Sequence, residues 1–105
     1  MTTEQKILYI AVHYGYERQT RQLIEAMAKL TVAINAAWLK TFDKVDGLPN
    51  MDDEECIEEE IASVEIMLSQ LKYLLGIGEE EFSDIMESKL DEQIRELKNG
   101  LERKE

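Results

Sequence analysis

A heptad-like run of apolar residues in the middle of the chain constrains its fold more than any other feature. Its members are separated by four, three, four, three and four positions: Ile57, Ile61, Val64, Leu68, Leu71 and Leu75. Residues at this spacing share one face of an α-helix, whereas a half-buried strand would alternate apolar and polar residues. A second stripe earlier in the chain has similar spacing: Leu23, Met27, Leu30, Ile34 and Trp38. Both stripes predict long amphipathic helices and an all-α fold.

Four helices are predicted, over residues 3–13, 17–39, 52–76 and 79–99. Gly15 separates the first two, and the segment 43–50 has the Gly, Pro and Asn of a loop. Gly76 and Gly100 are expected to end the third and fourth helices. Amphipathic helices with short connections form a bundle, and a chain of 105 residues is expected to be one domain. The tail 100–105 is expected to be disordered.

Composition excludes several classes of function. The formal net charge of −11 argues against non-specific binding to nucleic acid, which needs a basic face. No apolar run approaches the roughly 20 residues that a transmembrane helix needs, so no membrane association is expected. Cys56 is the single cysteine, which rules out a disulfide within the chain and suits a reducing cytoplasm.

Three segments carry a resemblance to a known family: HYGYERQ (13–19), QLIEAMAKLTVAIN (22–35) and EEIASVEIMLSQLKYLLGI (59–77). Through them the chain resembles the MazG-like, all-α NTP pyrophosphohydrolases over roughly residues 8–95. That family has one helix reading E-E-x-x-E and a second reading E-x-x-D, whose carboxylates hold magnesium on a nucleoside triphosphate. The resemblance implies a four-helix MazG-like bundle that assembles as a homo-oligomer, either a dimer or a tetramer.

The chain departs from the family pattern at the positions that carry the chemistry. Glu25 matches the first Glu of the first motif, but Ala26 stands at the second and Lys29 at the third. Glu60 matches the Glu of the second motif, and Ser63 replaces its Asp. The pocket is therefore expected to be more positive than in the family and to have lost most of its magnesium ligands.

Lys29 is the most informative of these changes. An ammonium near the place of the missing metal can pair with a phosphate directly, but it cannot generate a hydroxide nucleophile as magnesium does. The sequence therefore predicts a protein that binds a nucleotide or a nucleotide-derived signal without hydrolysing it and without a cofactor. Such a protein could sequester a signal in a conflict between phage and bacterium. The alternative for Lys29 itself is a solvated residue or a salt-bridge partner on an acidic helix.

Ten residues are predicted to contact the ligand: His13, Tyr14, Gln19, Gln22, Glu25, Ala26, Lys29, Trp38, Glu60 and Ser63. An aromatic ring at His13 or Tyr14 could stack on a base, although packing of the first helix on the second is the alternative for both. Gln19 matches a glutamine of the family pattern and could contact a base edge or a phosphate. A tryptophan at the position of Trp38 is more often a core or interface residue than a ligand contact. No catalytic residue is assigned, because most of the magnesium ligands of the family pattern are missing and Cys56 has no histidine near it to form a catalytic thiol.

Two other functions stay open at this stage. One is an active, magnesium-dependent pyrophosphohydrolase that converts an NTP into an NMP and pyrophosphate, with a metal site built from Glu25, Glu59, Glu60 and Glu65. The other is a helical module that recognises a protein partner through its acidic surface.

Met67 and Leu74 lie outside the main apolar seam of the third helix, which favours a second buried face and therefore a homo-oligomer.

Overall fold

A computed structural model describes the backbone of residues 1–41 and 51–103 and the side chains of residues 1–39 and 57–101. The described residues form three α-helices: α1 (Thr3–Thr41), α2 (Met51–Leu74) and α3 (Glu79–Arg103). The all-α prediction is confirmed, and this part of the chain contains no strand. None of the described helices has an apolar stretch long enough to cross a bilayer.

α1 combines the first two predicted helices and is broken where the sequence predicts a break. Its start is fixed by a capping box, in which the Thr2 amide donates to Gln5 Oε1 (2.9 Å) and the Gln5 amide donates to Thr2 Oγ1 (3.1 Å). Gly15 has φ of 82° and ψ of 174°, far outside the helical region. This conformation is open almost only to glycine, so the residue type sets the position of the break.

α1 and α2 pack against each other as an antiparallel hairpin. The direction follows from their contacts, because Gln19 bonds Gln70 while residues further along α1 face earlier residues of α2. The side of α1 towards α2 has heptad spacing and consists of buried or half-buried residues: Gln19, Leu23, Ala26, Leu30, Ala33 and Ala37. Three of the six are alanines, and small side chains at a helix contact favour a close approach of the two helices.

The predicted apolar stripe of α1 is therefore only partly buried. Leu23 and Leu30 are buried or half-buried as expected, but Met27, Ile34 and Trp38 are 42%, 51% and 62% exposed. Ala26 and Ala33, on the neighbouring face, are buried or half-buried in their place. The reason for the error is that two adjacent faces of one helix both carry residues at three- and four-residue spacing.

On α2, as on α1, the packed face is rotated by one residue position from the predicted apolar seam. The half-buried residues follow the series Ile57, Glu60, Val64, Met67, Leu71 and Leu74. Three of the predicted seam residues, Ile61, Leu68 and Leu75, are instead exposed. Met67 and Leu74, predicted to lie outside the seam, belong to the side that faces α1. This rotation turns the carboxylate-bearing Glu60 towards α1.

A buried pair of amides joins both parts of α1 to α2. Gln19 Nε2 donates to Gln70 Oε1 at 2.6 Å, and Gln70 Nε2 donates to the carbonyl oxygen of Ile7 at 3.3 Å. Gln70 is fully buried and Gln19 almost so. Since Ile7 and Gln19 lie on opposite sides of the break at Gly15, Gln70 holds the two segments of α1 in register.

The ends of the later helices only partly match the predictions. Gly76 has φ of 70° and follows the end of α2, as predicted. The expected end of the last helix at Gly100 is wrong, because α3 continues to Arg103. The predicted loop 43–50, the side chain of Cys56 and residues 104–105 lie outside the described residues.

The chain divides into two compact units, Met1–Leu75 and Gly76–Glu105. The first contains the α1–α2 hairpin. The second contains α3, whose apolar positions are largely exposed: Ile85, Met86, Leu90, Ile94, Leu97 and Leu101.

Candidate functional site

The α1–α2 hairpin encloses a cleft of about 320 Å³. Six of its lining residues were predicted as ligand contacts: Gln22, Glu25, Ala26, Lys29, Glu60 and Ser63. The volume is at the lower end of the range for small-molecule sites. The residues that the sequence pattern selected on two separate helices thus meet at one place.

Helical spacing explains how this set is assembled. Gln22, Glu25 and Lys29 are three and four residues apart and therefore share one face of α1. Glu60 and Ser63 share a face of α2 for the same reason. Ala26 has no side chain beyond Cβ and therefore leaves room between these polar groups. Since Ala26 is buried in the contact between α1 and α2, the cleft lies directly beside that contact.

The cleft contains one cation and two carboxylates. Lys29 Nζ lies 4.0 Å from Glu25 Oε1, one helical turn away, and the two side chains are 62% and 59% exposed. Glu60, from the opposite helix, is half-buried. An exposed i,i+4 pair of this kind contributes only about 0.3–0.5 kcal/mol, so little is lost when Lys29 turns towards another anion.

The carboxylates of the cleft do not by themselves form a metal site. Among the described residues no group of three His, Cys, Asp or Glu side chains is arranged to hold a metal ion. Glu25 and Glu60 line the cleft, whereas Glu59 and Glu65 are exposed and are not part of its wall. The Lys29 ammonium beside Glu25 would also compete with a cation for that carboxylate.

Two of the remaining candidates lie apart from the cleft. The Gln19 side chain is buried and bonded to Gln70, so its amide serves the helix interface in this conformation. Trp38 lies near the end of α1 and is 62% exposed. Neither residue lines the cleft, and their assignment as ligand contacts stays a prediction.

His13 and Tyr14 lie just before the break in α1 and are both exposed. Their rings meet edge to face, with centroids 4.8 Å apart and an interplanar angle of 80°. The Arg18 guanidinium carbon lies 4.1 Å from the centroid of the Tyr14 ring. They line neighbouring surface grooves rather than the cleft itself.

Sequence reasoning missed the apolar part of the wall. Ile66 and Met67 line the cleft together with the polar residues. The signal was available, because Ile66 lies three residues beyond Ser63 and Met67 lies four beyond it. An apolar wall beside polar groups is the usual composition of a site for an organic ligand.

Comparisons with known proteins give no match: no protein-family model, no curated protein and no solved structure matches this chain.

Proposed function

We propose that this chain binds a nucleotide or another phosphorylated small molecule in the α1–α2 cleft without hydrolysing it. The observation that carries the proposal is the lining of the cleft. Glu25, Ala26, Lys29, Glu60 and Ser63 were selected from a resemblance between sequence motifs, and all five line a single cleft. The MazG-like four-helix bundle, and the relationship to that family, are part of the proposal.

Lys29 is the proposed phosphate contact. Its ammonium supplies three hydrogen-bond donors, and its ion pair with Glu25 is weak enough to be exchanged for a phosphate. Gln22 and Ser63 supply further polar groups that can bind phosphate or sugar oxygens. Ile66 and Met67 supply an apolar surface for a base or sugar face.

There is a chemical reason for leaving hydrolysis out of this proposal. Cleavage of a triphosphate needs an activated water and neutralisation of the developing charge, both normally supplied by magnesium. A lysine neutralises charge but does not activate a water. Sequestration of a nucleotide signal is therefore the use that fits this set of residues best.

Calorimetry tests the proposal. The purified protein is titrated in EDTA with a panel of nucleoside monophosphates, triphosphates and cyclic nucleotides. At least one member should bind, and Lys29→Gln should weaken that binding about tenfold because a charged contact to phosphate is lost. Lys89→Gln on α3 makes the same charge change outside the cleft and should leave the affinity unaltered. Absence of binding across the whole panel would refute the proposal.

A second candidate is a magnesium-dependent NTP pyrophosphohydrolase. It is favoured by one observation, namely that Glu25 and Glu60 reach the same cleft from two helices. Magnesium often uses only one or two protein carboxylates together with substrate phosphates. Pyrophosphate release from NTPs in the presence of magnesium, abolished by Glu60→Gln, would favour this candidate over non-hydrolytic binding.

We also propose that the protein is a cytoplasmic homo-oligomer. Large apolar side chains are exposed on all three helices, and monomeric proteins rarely leave extended apolar stripes uncovered. If neither nucleotide binding nor hydrolysis is found, these stripes would instead favour a helical module that binds a protein partner.

A further inference from the structure

A second groove lies on the surface of the hairpin, next to the cleft. It encloses about 430 Å³ and is lined by Tyr14, Glu17, Arg18, Arg21 and Gln22. Gln22 also lines the cleft, so the two depressions share a wall. Its lining differs from that of the cleft, because it brings together two guanidinium groups and an aromatic ring.

The aromatic ring positions one of these guanidinium groups. The Arg18 guanidinium carbon is 4.1 Å from the centroid of the Tyr14 ring, which is the geometry of a cation–π contact. The Tyr14 ring also makes an edge-to-face contact with His13, with ring centroids 4.8 Å apart. A guanidinium that stacks through its face keeps the N–H donors at its edge available for a planar or tetrahedral oxyanion.

The charge of the groove favours an anion. Arg18 and Arg21 oppose a single carboxylate, Glu17, whose Oε1 lies 3.4 Å from Arg21 Nη2. The two side chains of this pair are 86% and 78% exposed, so water screens their attraction and either can be displaced. In a chain with a formal net charge of −11, a local excess of positive charge is unusual.

We propose that this groove is an anion site, distinct from the cleft, that binds a phosphoryl or polyphosphate group through Arg18 and Arg21. Guanidinium groups bind phosphate oxygens with paired, charge-assisted hydrogen bonds. The Tyr14 hydroxyl and the Gln22 amide can bond the remaining oxygens. The site does not depend on what the cleft binds, although the shared Gln22 would allow one extended ligand to occupy both.

Calorimetry with inorganic tripolyphosphate, at low ionic strength and in EDTA, tests the site. The wild-type protein should bind this probe, and Arg18→Gln and Arg21→Gln should each weaken binding about tenfold. Arg95→Gln on α3 is the matched control and should leave the affinity unchanged. Glu17→Gln should strengthen binding, because it removes the carboxylate that competes with the anion. Circular dichroism of each variant verifies that its helix content is retained.

Three results would overturn the inference. The first is the absence of tripolyphosphate binding to the wild-type protein. The second is an equal loss in Arg95→Gln, which would mean that only overall charge matters. The third is loss of binding in Lys29→Gln with Arg18→Gln and Arg21→Gln unaffected, which would assign the phosphate to the cleft alone. Since tripolyphosphate has no nucleoside, these outcomes are separate from failure of the nucleotide panel.

Discussion

The buried amide of Gln70 connects three parts of the hairpin through its two hydrogen bonds. It accepts from Gln19 and donates to the Ile7 carbonyl, so it contacts α1 on both sides of Gly15. No buried side-chain nitrogen or oxygen of the described residues lacks a partner. Burying an amide that keeps its hydrogen bonds costs little free energy, whereas burying the same amide without them strongly destabilises the folded state.

Gln70→Leu should therefore destabilise the protein by about 1–3 kcal/mol, since it leaves the Gln19 amide buried without its partner. The free energy of unfolding is measured by urea denaturation monitored by circular dichroism. Gln93→Leu on α3, where the side chain is exposed, is the control and should have little effect. The double variant Gln19→Leu, Gln70→Leu should recover part of the loss. Unchanged stability of Gln70→Leu would mean that this pair does not hold the hairpin.

The cleft residues allow a second test at this scale. The triple variant Ala26→Glu, Lys29→Glu, Ser63→Asp introduces the acids of the MazG-like motifs and removes the competing ammonium. Because Ala26 is buried in the seam, the variant should be less stable than the wild type without metal and should be stabilised by magnesium.

The thermal midpoint of the triple variant is measured with and without magnesium, and sodium at equal ionic strength is the control. A rise specific to magnesium would support the family mapping of the cleft. A variant with no magnesium affinity would show that these positions do not converge as a metal site requires.

At the scale of the helices, the break in α1 depends on one residue. The φ of 82° and ψ of 174° at Gly15 are costly for any residue with a Cβ. Apart from the adjoining backbone, no heavy atom lies within 4 Å of the place where a Cβ would be, so a substitution there would strain the backbone without a clash against a packed neighbour.

Gly15→Ala should thus destabilise the protein by about 1–3 kcal/mol, or straighten α1 and disrupt the Gln70 contact to Ile7. Gly100→Ala is a matched control with the opposite expected sign, because Gly100 lies inside α3 and alanine favours a helix by up to about 1 kcal/mol. Both values come from denaturant unfolding. A Gly15→Ala variant as stable as the wild type, with unchanged helix content, would contradict the role given to the break.

At the scale of the whole molecule, each of the two compact units buries few of the apolar side chains that the structure describes. The buried apolar residues of the described chain are Ala11, Leu23, Ala26 and Ala37. Large apolar side chains such as Ile24, Val32 and Leu97 remain more than 60% exposed. Apolar surface of this extent favours association, because its burial is the main driving force for folding and assembly.

Light scattering at micromolar concentration should therefore give a mass above that of one chain, as expected for a homodimer or homotetramer. Since the exposed residues are apolar, the assembly should persist at high salt, which screens charged contacts but not apolar ones. Dissociation on addition of salt would indicate a charged interface. A monomeric mass at every concentration would contradict the proposed oligomer.

Local sequence patterns correctly predicted the helical character, the break at Gly15, and the sharing of faces by Glu25 with Lys29 and by Glu60 with Ser63. These follow from local rules, because helical spacing and glycine conformation act within a few residues. Which of two neighbouring faces is packed depends on the contact between α1 and α2, and this contact buries Gln19 and places Glu60 towards α1. Spacing alone could not determine this, since both faces repeat every three and four residues. The choice is consistent with the alanines on the packed face of α1 and with the need of the buried Gln70 amide for a partner on α1.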